Sequence, residues 1–169
     1  MQATLAGVTR AGSTLVFSGM NLQVLSGSGA TDGAVNGLGN VIIGYNESPR
    51  TQTGSHNLVL GNQDFESYGG LIAGLGNTIT EPYATVTAGG NNTASGFAAS
   101  VSGGDKNTAS GIDPSVSGGD FNTASGAESS VSGGFGNTAL GLNSSVAGGH
   151  GRVAAADYHT QIGPTDFGP

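Results

Sequence analysis

The chain has 169 residues, of which 33 are glycine, none is cysteine and only 9% are charged. A net charge of −7 with four basic residues (Arg10, Arg50, Lys106, Arg152) argues against nucleic acid or anionic lipid as partner. No apolar run reaches membrane-spanning length, no disulfide can staple the fold, and the glycine lacks the Gly-X-Y period of collagen.

Residues 1–20, MQATLAGVTRAGSTLVFSGM, follow no repeat and hold one strand-like run, Thr14–Phe17. They read as a cap or the remnant of a neck, since an open solenoid end leaves strand edges unpaired. No signal-peptide pattern opens the chain, which is therefore expected to lack its natural leader or to be cut from something longer.

Residues 21–84 carry irregular copies of one motif: NLQVLSG (21–27), NVIIG (40–44), NLVLG (57–61) and GLIAGLGNTIT (70–80). Phasing the last copy by Leu71 and Asn77, each fifteen residues before Val86 and Asn92, gives Ile42, Val59 and Ile72 the place later held by Thr87, Ser102, Ser117 and Ser132. This predicts an apolar outer face on the early coils, covered by a partner chain or by the N-terminal segment.

From 85 to 156 the repeat is regular, with a period of fifteen: TVTAGGNNTASGFAA, SVSGGDKNTASGIDP, SVSGGDFNTASGAES, SVSGGFGNTALGLNS and SVAGGHGRVAAAD. Self-similarity at a short fixed period marks stacked units that cannot bury their apolar faces alone. Fifteen residues suit one narrow coil of a parallel β-solenoid: strand, corner, strand, corner. Side chains alternate along a strand, so Val101, Gly103 and Ala109 are expected inside and the hydroxyls outside.

Stacking then yields ladders of like residues. One contains Val101, Val116 and Val131, another Ala109 and Ala124, a third Asn107, Asn122 and Asn137, and a fourth Phe97, Ile112, Ala127 and Leu142. A corner asparagine facing inward is expected to bond its neighbour in the ladder and the corner backbone. Counting first runs gives about eight or nine coils, a body roughly 40 Å tall. Each coil is expected to bury a valine, an alanine and one variable apolar residue of the fourth ladder, little area against the entropy of ordering a glycine-rich segment, so further burial between chains is expected. Residues 157–169 leave the motif, and Tyr158, Ile162, Phe167 and two prolines are expected to fold over the last coil.

The spacing S-V-x-x-G-x-x-N-T-A-x-G, with Ser100, Val101, Gly104, Ala109 and Gly111, resembles the YadA-like head repeat of trimeric autotransporter adhesins. It is similar also to bacterial surface repeat proteins built from SVSGGxxNTASG units. The resemblance spans roughly residues 40–156. It implies a left-handed parallel β-roll, three chains side by side, and display outside a bacterial cell for adhesion. The chain departs from the pattern in having Gly103, Gly118 and Gly133 where the family carries Ile, and a period of fifteen where fourteen is common.

Candidate chemistry is sparse. Asp105 and Asp120 stack one coil apart and are weak candidates for a shared Ca²⁺, as are Asp113 and Glu128; solvated corner residues are the plainer reading. The fifteen-residue spacing is not the nine-residue period of calcium β-rolls. Gly149–Ala154 matches a dinucleotide fingerprint without its strand–helix context. His56, His150 and His159 are scattered, and no catalytic residue or cofactor is expected.

The expected function is therefore a non-enzymatic structural or adhesive module, extracellular or on a bacterial surface, assembled as a homotrimer. Two alternatives share the fold. Paired hydroxyl columns such as Ser100/Ser102 and Thr108/Ser110 resemble ice-binding faces, and a phage tail fibre or secreted filament needs the same pillar.

Overall fold

The computed structural model describes residues 7–162. It is all-β, with no helix among the described residues, and its coils stack into a parallel β-solenoid of about eight turns. A separate antiparallel hairpin, β1 (Val8–Ala11) and β2 (Thr14–Phe17), precedes the coils. Then come β3 (Val41–Ile43), β4 (Leu58–Phe65) and β5 (Leu71–Ile79), followed by two-residue strands, two to a coil.

Register in the regular coils follows the fifteen-residue period. Val101 pairs with Val86 and Val116, and Ala109 with Ala94 and Ala124, all in parallel. Both columns are fully buried, as are Val131, Val146, Ala139 and Ala154. A strand can be two residues long here because the corners, not the strands, carry most of the turn. In a typical coil Gly104, Lys106 and Asp113 adopt left-handed backbone, with φ of 85°, 53° and 51°. At Gly104 glycine is also required sterically, since a Cβ would overlap the carbonyl oxygen of Gly119 in the next coil.

Two inward assignments need correction. Gly103 is half-exposed, and a Cβ placed there would meet only the Ala88 methyl at 3.7 Å. Phe97 and Ile112 are 46% and 58% exposed, so the fourth ladder runs along the outside of a corner. The interior at that corner is filled instead by the residue preceding each first strand: Ala84, Ala99, Pro114, Ser129 and Ser144, all buried.

The early coils differ in length, and this reverses a third expectation. Ile72 pairs with Val86, fourteen residues on, while Thr78 pairs with Thr93, fifteen on. One residue enters the regular coils between these points. The bridge from Leu75 to Gly90 confines it to Thr87–Gly89, a stretch whose middle residue recurs as Gly103, Gly118, Gly133 and Gly148. Because faces alternate with period two, a one-residue slip turns a strand inside out.

Ile42, Val59 and Ile72 therefore belong to the core column that continues through Val86, and they are not an outer face awaiting cover. Val59 and Ile72 are wholly buried; Ile42, in the outermost strand of the stack, is 43% exposed. An apolar outer stripe exists nonetheless, on their neighbours. Val41, Leu58 and Leu71 lie in the column that becomes Thr85 and Ser100, and Ile43, Leu60 and Ala73 lie beside them.

At the other end the coils run further than the motif does. Thr160–Gln161 pairs with Ser145–Val146, so the solenoid reaches into the segment expected to be a cap, and Tyr158 and Ile162 are exposed there; residues 163–169, with Phe167 and both prolines, lie outside the described residues.

Candidate functional site

The asparagine ladder lies inside one corner and holds successive coils together. The Oδ1 of Asn92 accepts the backbone N–H of Asn107 at 2.9 Å, and Asn107 does the same for Asn122, and Asn122 for Asn137. Each Nδ2 donates twice: from Asn107 to the Gly103 carbonyl at 3.0 Å and to Gly119 of the next coil at 2.7 Å. All these side chains are fully buried, so the bonds form away from competing water.

The ladder is longer than the motif suggested. Asn77 donates its backbone N–H to Gln63 Oε1, and Gln63 donates its own to Asn46 Oδ1. Gln63 replaces Asn where the coil is one residue shorter, and its additional methylene spans the gap to the Gly74 carbonyl at 2.6 Å. The register shift between Asn62 and Asp64 marks that shortening; sequence spacing alone did not point to Gln63. At the upper end Arg152 replaces Asn and still donates its N–H to Asn137 Oδ1 at 2.9 Å.

Asp105 and Asp120 are brought together at the same corner as bridge partners, in a column running Leu75, Gly90, Asp105, Asp120, Phe135, His150. Asp105 accepts Asn91 Nδ2 at 3.0 Å and pairs with Lys106 Nζ at 3.3 Å. The Asn91 bond, against desolvation and with help from the Lys106 bond and charge, holds its carboxyl below the usual range. Among the described residues no three His, Cys, Asp or Glu side chains converge, so a cation here would rely on waters and carbonyls. Lys106 also lies 4.9 Å from the Phe121 ring centroid, and Phe121, Phe135 and His150 form an exposed aromatic ridge.

The outward faces carry the hydroxyls. On the first-strand sheet Ser100, Ser115 and Ser130 stack in register beside an exposed column with Ser102, Ser117 and Ser132. On the second sheet Thr78, Thr93, Thr108, Thr123 and Thr138 stack without interruption and end at Val153, which keeps the β-branched shape. These columns are regular, and they are surfaces with no enclosing wall.

One cleft, of about 410 Å³, is lined by Gln23, Ser26, Ser28, Thr31 and His56. His56 Nε2 accepts the Ser26 N–H at 3.0 Å and its Nδ1 lies 3.3 Å from the Thr31 carbonyl, which selects the neutral Nδ1–H tautomer. The imidazole thereby ties the 26–31 loop to the coil. It is engaged on both nitrogens by backbone, and neither bonds the Ser26, Ser28 or Thr31 hydroxyl.

No protein-family model matches the chain, and no curated protein matches it.

Proposed function

We propose that the chain is a non-enzymatic structural and adhesive module of a bacterial surface protein or fibre, working outside the cell as a side-by-side homotrimer. The observation that carries this reading is the apolar outer stripe Val41/Leu58/Leu71 with Ile43/Leu60, which gives way to hydroxyl columns higher on the same sheet. A lateral contact along the stripe buries side chains that water otherwise faces, and leaves the upper columns free to present many weak sites at once. Sedimentation equilibrium tests the assembly: a multiple of three copies is expected, and Leu58→Ser with Ile43→Ser should remove the factor of three. A strictly monomeric wild type at hundreds of micromolar would sink the lateral trimer. Adhesion itself is tested by retention of the chain on immobilised matrix glycoproteins, lost when the trimer is lost.

A second reading, ice binding, is favoured by one observation. The threonine column from Thr78 to Thr138 on the second sheet has the ordered γ-methyl that the serine columns lack. Thermal hysteresis at millimolar concentration is its test, and the absence of any ice shaping ends it.

A further inference from the structure

Two parts of this chain lack the partner their chemistry calls for. The first is the free edge of β3. It pairs on one side only, with β4, and no strand lies on its other side among the described residues. Val41 donates its N–H to Asn57 at 2.9 Å. Alternate residues of a parallel strand bond opposite neighbours, so the N–H and C=O of Ile42 face the open edge. The stretch from residue 33 to 46 has no charge and no proline, so the usual guards of an exposed edge are missing. Ile42 also leaves the end of the core column uncovered, where Val59 and Ile72 are sealed.

The second is the hairpin. Among the described residues its strands pair only with each other, Val8 with Phe17 through Ala11 with Thr14, and touch no other strand. Leu15, Val16 and Phe17 are all exposed. A lone two-stranded hairpin is marginal in water and needs a third strand or an apolar surface. The coils of its own chain supply neither, and Ser26, held by His56 and Asn36, fixes where the linker leaves the body.

We infer that the hairpin of one copy adds as an edge strand to β3 of a second copy, and reciprocally, in a two-fold strand exchange at the N-terminal end of the pillar. The occupant is a second copy because the same chain carries both halves of the contact: an uncharged strand edge with free donors and acceptors, and a hairpin whose uncharged β2 strand has an unpaired edge and exposed Leu15, Val16 and Phe17. The exchange uses the end of the solenoid, not the lateral stripe, and it does not rest on the adhesive reading.

Light scattering coupled to size exclusion tests it on the full chain, on a variant lacking residues 1–19, and on Ile42→Pro. Proline at 42 removes an N–H that the β3–β4 ladder does not use, and unchanged far-UV spectra verify that the coils still form. The full chain is expected to show twice the mass of either variant, whether the lateral unit is one copy or three. Equal masses for all three proteins would overturn the exchange. Retained doubling after deletion of 1–19, with loss in Ile42→Pro, would overturn the hairpin as occupant. Cysteines placed by Leu15→Cys and Ile42→Cys should cross-link between copies; a purely intramolecular disulfide would also overturn the proposal, in favour of a cap in cis.

Discussion

The side-chain carbonyl of Asn107 accepts the backbone N–H of Asn122 at 2.9 Å, and both residues are sealed from solvent. Every bond of this kind joins one coil to the next, so the ladder works as a second hydrogen-bonded column parallel to the sheets. Loss of an inner rung such as Asn122 leaves the buried Asn137 N–H without its acceptor and removes the side-chain donor from the Gly118 carbonyl, while the Gly134 carbonyl keeps the backbone N–H of Asp120.

Asn122→Ala is therefore expected to cost about 1–3 kcal/mol, the cost of one buried orphan. Urea unfolding measures it. Asn122→Asp should be no better, because a carboxylate accepts the Asn137 N–H but cannot donate to the Gly118 and Gly134 carbonyls. A loss under about 0.5 kcal/mol for either variant would remove the ladder from the account of stability.

Adjacent glycines should behave in opposite ways. A Cβ at Gly119, where φ is 78°, overlaps the backbone of Gly134, and Gly119→Ala should destabilise by about 2 kcal/mol or more. Gly118 faces open space at an ordinary φ. Gly118→Ala should be neutral or stabilise by about 0.4–1 kcal/mol through the unfolded chain. Thermal melts of the pair decide it, and equal shifts would contradict the difference in space at the two glycines.

The slip between the irregular and regular coils is tested by a neighbouring pair. Ile72→Ser empties the core column and should cost about 3 kcal/mol or more, whereas Leu71→Ser acts on the outer stripe and should change monomer stability by about 0.5 kcal/mol or less. The reverse order would restore Ile72 to the outside. Similarly Val116→Ala should cost more than Ile112→Ala, for which about 0.5 kcal/mol is the expected ceiling.

Asp105 gives a pH prediction. Its folded carboxyl titrates below the ordinary value of about 3.9, so its contribution is present above that value and is lost as pH falls through the folded one. Asn91→Ala removes the largest cause and should move the Asp105 midpoint up toward the ordinary range, as read by carboxyl NMR titration. An unmoved midpoint would assign the shift to Lys106 instead.

The His56 clasp is local. His56→Phe keeps a ring over Gly39 but removes the acceptor for Ser26, and amide exchange at Ser26 should accelerate about tenfold, equivalent to about 1.4 kcal/mol, with the coils unaffected. Exchange at Val101 is the internal control.

Much of this fold could be read residue by residue because stacking turns a sequence period into a spatial one. The inward positions of Val101, Ala109 and Asn107 followed from alternation and polarity alone, as did the hydroxyl exterior. What went astray was phase. Matching Asn77 to Asn92 was right, but carrying the same count back to Leu71 passed over a residue that the fourteen-residue coil lacks. The Phe97 column was misplaced for a related reason: hydrophobicity suggested the interior, while the corner had room only for Ala, Pro or Ser one step before the strand. Asp105 and Asp120 were rightly stacked, yet the partners of Asp105, Asn91 and Lys106, come from the corner's left-handed geometry, which spacing does not reveal.

By itself, then, the sequence determined the architecture: a recurring fifteen-mer admits a parallel stack, because identical units bond identically to their neighbours. Only the tertiary structure decided which side of the early strands is buried, that Gln63 extends the asparagine ladder, and that β3 and the hairpin stand without partners. The reason is that hydrogen-bond register, not residue type, fixes the face a side chain takes, and one residue gained or lost at a corner reverses it.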